Sequence, residues 1–200
     1  MSPRNSTAGA AATRESIVAA AVERGSVEGL EGITIGKLAT SLRMSKAGVI
    51  GHFGSKEALQ LAALEQATRT FRAEVWDPVA ARPEGIVRLR AIAHAWLSHL
   101  EGDTFPGGCF LTAASTEFDG RPGPVRDAVE ATLSLWERVL AHDARIATAA
   151  GDLPAGTDPL QVAFEMNAIA MAVNQARQLR RDPKAIARGR RAMARLLSAD

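Results

Sequence analysis

Three hydroxyl residues, Thr34, Ser45 and Ser55, each stand just ahead of a run with helical character, all within the short stretch Thr34 to Leu59. A hydroxyl at that place accepts a bond from a backbone N–H of the first helical turn, so each one marks a helix start. Ile35, Leu38 and Leu42, then Met44, Val49 and Phe53, supply the apolar positions for two short helices that share one small core. Ala39 falls where those helices must cross, and its small side chain suits close approach rather than contact with anything outside. Two short helices, a tight turn and a third helix start are the arrangement of a helix-turn-helix, which reads DNA with its second helix.

The stretch also carries a more specific pattern. Ile17-Val18 and Ala20-Ala21 lie on an earlier helical run, followed by Thr34, Leu38-Ala39, Met44-Ser45-Lys46 and His52-Phe53-Gly54-Ser55-Lys56-Glu57-Ala58-Leu59. In order and spacing, residues 13 to 60 resemble the N-terminal domain of the TetR family of transcriptional regulators. Two departures bear on DNA contact. Where the family usually has a tyrosine whose phenol bonds a backbone phosphate, this chain has Ile50, and it has no tyrosine at all. Where a turn glycine is expected it has Arg43, which must then hold a left-handed conformation at a cost of about 1 kcal/mol. A phosphate within reach of Arg43 would offset that cost.

The expected DNA-facing residues are Thr34, Arg43, Ser45, Lys46, Ala47, Gly48, His52 and Lys56. Thr34 either bonds a phosphate through its hydroxyl and the helix N-terminus or serves only as a cap. Lys46 opens the recognition helix, where a long cation reaches a phosphate or a guanine edge, unless it is simply solvated. Ala47 and Gly48 suit close approach to the groove, and Ala47 can touch a thymine methyl. His52 either donates to a phosphate or packs beside Phe53. For Lys56 the family resemblance implies a phosphate contact, with Glu57 as a competing local charge. Gly48 and Gly51 leave few side chains long enough to read base edges, so much of the affinity is expected from phosphates.

Composition agrees with an all-α fold. Apolar residues make up 46% of 200 positions, alanine is abundant and β-branched runs are short. The sequence divides into an expected flexible tail over 1–11, a helix-turn-helix domain over 12–60 and a sensing and dimerisation domain over 61–200. Further helices are expected near 13–29, 55–76, 84–101, 109–118, 124–149, 158–180 and 183–198, with Gly/Pro loops at 102–108 and 119–124. No secretory leader or membrane span is read, and the lone Cys109 fits a reducing compartment, so a cytoplasmic protein without membrane contact is expected.

Charge is uneven along the chain. Residues 1–60 hold seven Lys/Arg against five Asp/Glu, 61–176 nine against fifteen, and 177–200 eight against two. DNA is therefore not gripped by the whole surface, since phosphate attraction needs clustered cations. The basic run from Arg177 to Arg195 reads as a solvated helix face balancing the acidic centre, with a second nucleic-acid patch as the alternative.

The segment Val162 to Val173 is apolar almost all round, interrupted only by Glu165 and Asn167. A helix without a polar face must be covered on every side, which suggests a second subunit. The helix carrying Val125, Val129, Leu133, Trp136 and Leu140 is its expected partner, and the family resemblance also implies a homodimer formed by the last long helices. A two-fold dimer presents two recognition helices to the half-sites of a palindromic operator. Candidate effector-lining residues are Trp96, Cys109, Phe110, Glu117, Phe118, Trp136, Asn167 and Met171. The apolar ones equally suit core filling, and the polar ones suit interhelical hydrogen bonds.

No catalytic constellation and no cofactor motif is read. His94 and His99 are five residues apart and diverge by about 140° on a helix, so they are poor metal partners. The reading is thus a DNA-binding transcriptional regulator, expected to be a repressor released by a small-molecule effector. The alternative is an α-helical small-molecule-binding protein with weakened or lost DNA binding.

Overall fold

The computed structural model describes residues 3–102 and 104–198, and among these it has nine α-helices, one π-helical turn and no strand. In chain order they are α1 (Pro3–Glu28), α2 (Ile35–Ser41), α3 (Lys46–Phe53), α4 (Lys56–Phe71), α5 (Ile86–Glu101), α6 (Phe110–Phe118), α7 (Pro124–Ala150), α8 (Pro159–Gln178) and α9 (Ala185–Leu196). The helix expected as far as Trp76 does continue to that residue, but Arg72–Trp76 is wound as a π-helix. The expected tail over 1–11 differs too. Its first two residues lie outside the described ones, and α1 begins at Pro3, in keeping with the helix-forming alanines Ala8 and Ala10 to Ala12. No helix among the described residues is long and apolar enough to cross a membrane.

The helices gather into two compact units that do not follow chain order. One holds residues up to Thr68 together with Phe105–Val129, the other Arg69–Thr104 with the chain from Glu130 onward. Packing thus groups residues 105–129 with the N-terminal helices. The reason is α6, whose Phe110, Leu111, Ala114 and Phe118 are all buried in the first unit. The loop before α6 approaches α1 so closely that a Cβ on Gly107 would lie 1.7 Å from the carbonyl oxygen of Ser26. Only glycine fits there.

In the first unit, Ile17, Leu30, Ile33, Leu38 and Leu59 are fully buried, joined by Val49 and Ala39. In the second, α5, α8 and α9 pack on one another around Leu89, Ile92, Leu97, Met166 and Leu197. Asp143 of α7 is completely buried and anchors the start of α5: it accepts from the Gly85 backbone N–H at 2.9 Å and from Arg88 Nε at 2.8 Å. That carboxylate raises the guanidinium pKa of Arg88 above its ordinary value, against the opposing effect of burial.

On α7, the helix expected to partner α8, Val125, Val129 and Leu140 are buried within their own units. The α7 residue left 58% exposed is Leu135. Their shared helical spacing did not distinguish a face covered by the same chain from one left open.

Candidate nucleic-acid interface and aromatic cluster

The three expected caps are all formed. Thr34 Oγ1 accepts from Lys37 N at 3.2 Å, Ser45 Oγ from Gly48 N at 3.0 Å and Ser55 Oγ from Ala58 N at 3.0 Å. They set the starts of α2, α3 and α4 without help from distant residues. Between α2 and α3 the chain turns at Arg43, whose φ of 55° is the left-handed conformation expected of a residue in the glycine position. Its side chain is exposed, as are Lys46, Ala47, Ile50 and Gly51 on α3. The Lys46 stem passes α2 closely, because a Cβ on Gly36 would lie 3.3 Å from its Cε. Gly48 is half-buried, with no room to spare: a Cβ there would come within 3.2 Å of Ser45 Oγ.

The outward face of α3 is thus short-chained, with one cation at its N-terminal end and an apolar Ile50, 44% exposed, in the middle. Ile50 is more than the absence of a phenol. Its exposure makes it an apolar group available to a thymine methyl. His52 is half-buried beside Phe53, with ring centroids 6.4 Å apart, and Arg14 of α1 stacks over Phe53 at 4.9 Å.

Lys56 has a partner that the sequence did not reveal. Its Nζ donates to the carbonyl oxygen and to Oε2 of Glu31, both at 2.9 Å, while Gln60 Nε2 donates to Leu30 O at 2.9 Å. Together with Gln60, Lys56 lowers the pKa of Glu31 below the ordinary carboxylate value. From the other side, Glu117 of α6 accepts the backbone N–H groups of Leu30 at 2.7 Å and Glu31 at 3.0 Å. Gly29, at φ 78°, lies against that carboxylate, and a Cβ there would come within 2.7 Å of it. The turn leaving α1 is therefore gripped from both α4 and α6.

Glu117, a candidate either for an effector site or for an interhelical hydrogen bond, clamps this turn through its carboxylate. Cys109, Phe110 and Phe118 belong to the same first unit, where Phe110 packs 5.9 Å from Phe105 between ring centroids. Trp96 and Trp136 belong to the second unit and do come together, 5.5 Å apart and edge to face. Phe71 lies against both, at 5.9 and 5.2 Å, and against His99 at 5.4 Å. His99 Nδ1 is 2.6 Å from Glu74 Oε2, and Glu74 also accepts from Thr104 Oγ1. Asn167 and Met171 lie on α8 in the same unit and contact each other, Nδ2 to Sδ at 3.6 Å. Of the eight effector candidates, Cys109, Phe110, Glu117 and Phe118 thus lie in the first unit and Trp96, Trp136, Asn167 and Met171 in the second. Among the described residues, no three His, Cys, Asp or Glu side chains group so as to hold a metal ion.

Residues 17–63 match the family model for bacterial regulatory proteins of the tetR family, and residues 85–193, more than half the chain, match that for the tetracyclin repressor-like C-terminal domain. The chain belongs to the TetR family. As a TetR-family protein it is a DNA-binding transcriptional regulator, and α3 is its recognition helix. No curated protein matches the chain.

Solved structures agree on the fold. A TetR transcriptional regulator from Chloroflexus aurantiacus superposes with a TM-score of 0.85 at 22% identity, covering 94% of each chain. One from Cytophaga hutchinsonii gives 0.80 at 20% identity, again covering 94% of each. AibR, solved in complex with isovaleryl coenzyme A and operator DNA, gives 0.66 at 21% identity, covering 80% of this chain and 86% of that one. At these identities the TetR-family likeness is one of fold.

Proposed function

We propose that this TetR-family protein is a repressor that binds a palindromic operator as a homodimer and releases it when a small molecule binds the helical domain. The observation that carries the reading is the capped α2–turn–α3 unit, with Lys46, Ala47, Ile50 and Gly51 exposed on one helix. Lys46 and Arg43 contact phosphates, with Thr34 and Ser45 presenting helix N-termini to the backbone. Ala47, Ile50 and the glycine positions let the helix lie close in the major groove, with specificity drawn from apolar base contacts and DNA shape. Lys56, held by Glu31, positions the α1–α2 turn and is not a primary phosphate ligand.

Dimerisation is supported by α8, where Val162, Met166, Ala170 and Val173 are buried while Leu160, Phe164 and Met171 are exposed at 56, 63 and 36%. The exposed three recur at helical spacing and form one apolar face, suited to a two-fold partner. That a protein of this fold, AibR, was solved in complex with isovaleryl coenzyme A and operator DNA supports a small-molecule ligand for this chain as well. Effector binding shifts the population of half-site spacings through α4, which bears Lys56 and Gln60 at one end and Phe71 at the other. A regulator of this kind works in the cytoplasm, where the DNA is.

The test is selection of bound DNA from a random pool, followed by a screen for small molecules that release the recovered site. A palindrome whose binding is steeply salt-dependent and weakened by Lys46→Ala supports the reading. Absence of any sequence-selective binding at low salt overturns it and favours a helical ligand-binding protein, in keeping with Ile50 and the two glycines of α3.

A further inference from the structure

The aromatic cluster of the second unit contains two polar atoms with no counterpart. Trp96 Nε1 and Trp136 Nε1 are both buried, and neither has a hydrogen-bond acceptor among the described residues. An indole N–H is a donor only, so nothing but an acceptor can satisfy it, and buried donors are ordinarily paired. The rings around them, Phe71, His99 and each other, meet edge to face at centroid distances of 5.2 to 5.9 Å. A ring face accepts an N–H only weakly. Two unsatisfied donors in one aromatic cluster are an unusual expense for a core that Phe could fill without them.

We infer that this cluster is the effector site and that its ligand is a neutral, ring-containing apolar molecule carrying a carbonyl-type acceptor, to which the indoles of Trp96 and Trp136 donate. The inference rests on the ligand-responsive reading above and adds to it the chemistry of the ligand. One carbonyl oxygen has two lone pairs and can serve both donors. A flat ring replaces one of the existing edge-to-face contacts at little loss. Trp96 is only 4% exposed, whereas Trp136 is half-buried, so Trp136 is the ring that moves to admit the ligand.

The neighbouring charges argue for neutrality. Glu74 places a carboxylate beside the cluster, engaged with His99 Nδ1 and Thr104. An anionic ligand would meet that carboxylate. The π-helical turn Arg72–Trp76, which directly follows Phe71 and carries Glu74, is a further sign, because single π turns are frequent at functional sites.

The test uses the full chain without DNA and isothermal titration calorimetry with three probes of similar shape: 2-acetylnaphthalene, 2-isopropylnaphthalene and 2-naphthoate. The ketone is expected to bind about tenfold or more tighter than the hydrocarbon or the anion, as one good hydrogen bond requires. Trp96→Phe and Trp136→Phe keep a ring and delete a donor. Each is expected to weaken ketone binding severalfold while leaving the hydrocarbon unchanged. Equal binding of ketone and hydrocarbon, unchanged ketone affinity in both variants, or no ketone binding overturns the inference. Preference for 2-naphthoate overturns the neutral ligand. A chain that binds the ketone but selects no operator keeps this site and loses the repressor reading; one that selects an operator but ignores the ketone loses only the site.

Discussion

Arg43 shows how one residue can oppose local preference in favour of a contact elsewhere. A φ of 55° strains any side chain with a Cβ, and glycine would relieve it. Arg43→Gly is expected to raise stability to denaturant by up to about 1 kcal/mol. The same substitution should weaken operator binding and make the salt dependence shallower by about one unit of slope, as losing one phosphate contact does. Stability and binding that fell together would assign the residue to the fold instead. Glu31 gives a second residue-level prediction. Its pKa is depressed below the ordinary 4.5, mainly by the hydrogen bond from Lys56. A depressed carboxylate stabilises the fold fully above its unfolded pKa, and that contribution disappears as pH falls through the lower folded value. Melting temperature recorded downward from about pH 6 should therefore begin to drop near pH 4.5, and Glu31→Gln should flatten that acid limb.

At the scale of elements, the α1–α2 turn is held by α6 as much as by the helices that follow it in the chain. Glu117 satisfies two backbone N–H groups of that turn, at 2.7 and 3.0 Å, which a shortened side chain would leave to water. Glu117→Ala is expected to cost about 1.5 to 3 kcal/mol in urea denaturation, the range for hydrogen bonds to a charged group. It should also loosen operator binding, since the turn sets the approach of α2 to α1. A variant of full stability would mean that the turn holds its shape without α6. Asp77-Pro78 ends the expected helix near Trp76, yet Arg72–Trp76, which follow α4, adopt a wider winding. Hydrophobic spacing does not distinguish these two windings over a single turn.

For the molecule as a whole, the exposed face of α8 is the feature that asks for a partner. Leu160, Phe164 and Met171 would stay in water on an isolated chain, an arrangement typical of an interaction surface. Phe164→Glu is expected to convert a dimer to a monomer in size-exclusion chromatography and to lower operator affinity by about tenfold or more, because the two half-sites are then no longer bound together. Native protein that elutes as a monomer at micromolar concentration would refute the dimer. The basic stretch after Arg177 plays a different part from the recognition helix. Arg190 pairs with Glu101 at 2.7 Å and Arg177 donates to the carbonyl oxygen of the same residue, so part of that charge is used within the second unit.

The all-α class, the helix order and the recognition unit were determined by the sequence, because they depend on short-range chemistry. A cap such as Ser45 reaches only three residues ahead, and the strain at Arg43 belongs to one pair of dihedrals. What tertiary structure alone decided lies between residues far apart in the chain. Glu117 meets Leu30 across 87 positions and Trp96 meets Trp136 across α6 and the two loops that flank it. Nothing in local spacing separates an aromatic residue that fills a core from one whose N–H lacks an acceptor. It likewise cannot tell the buried Val129 from the exposed Phe164, since both occupy apolar helical positions and only packing determines which of them another helix covers.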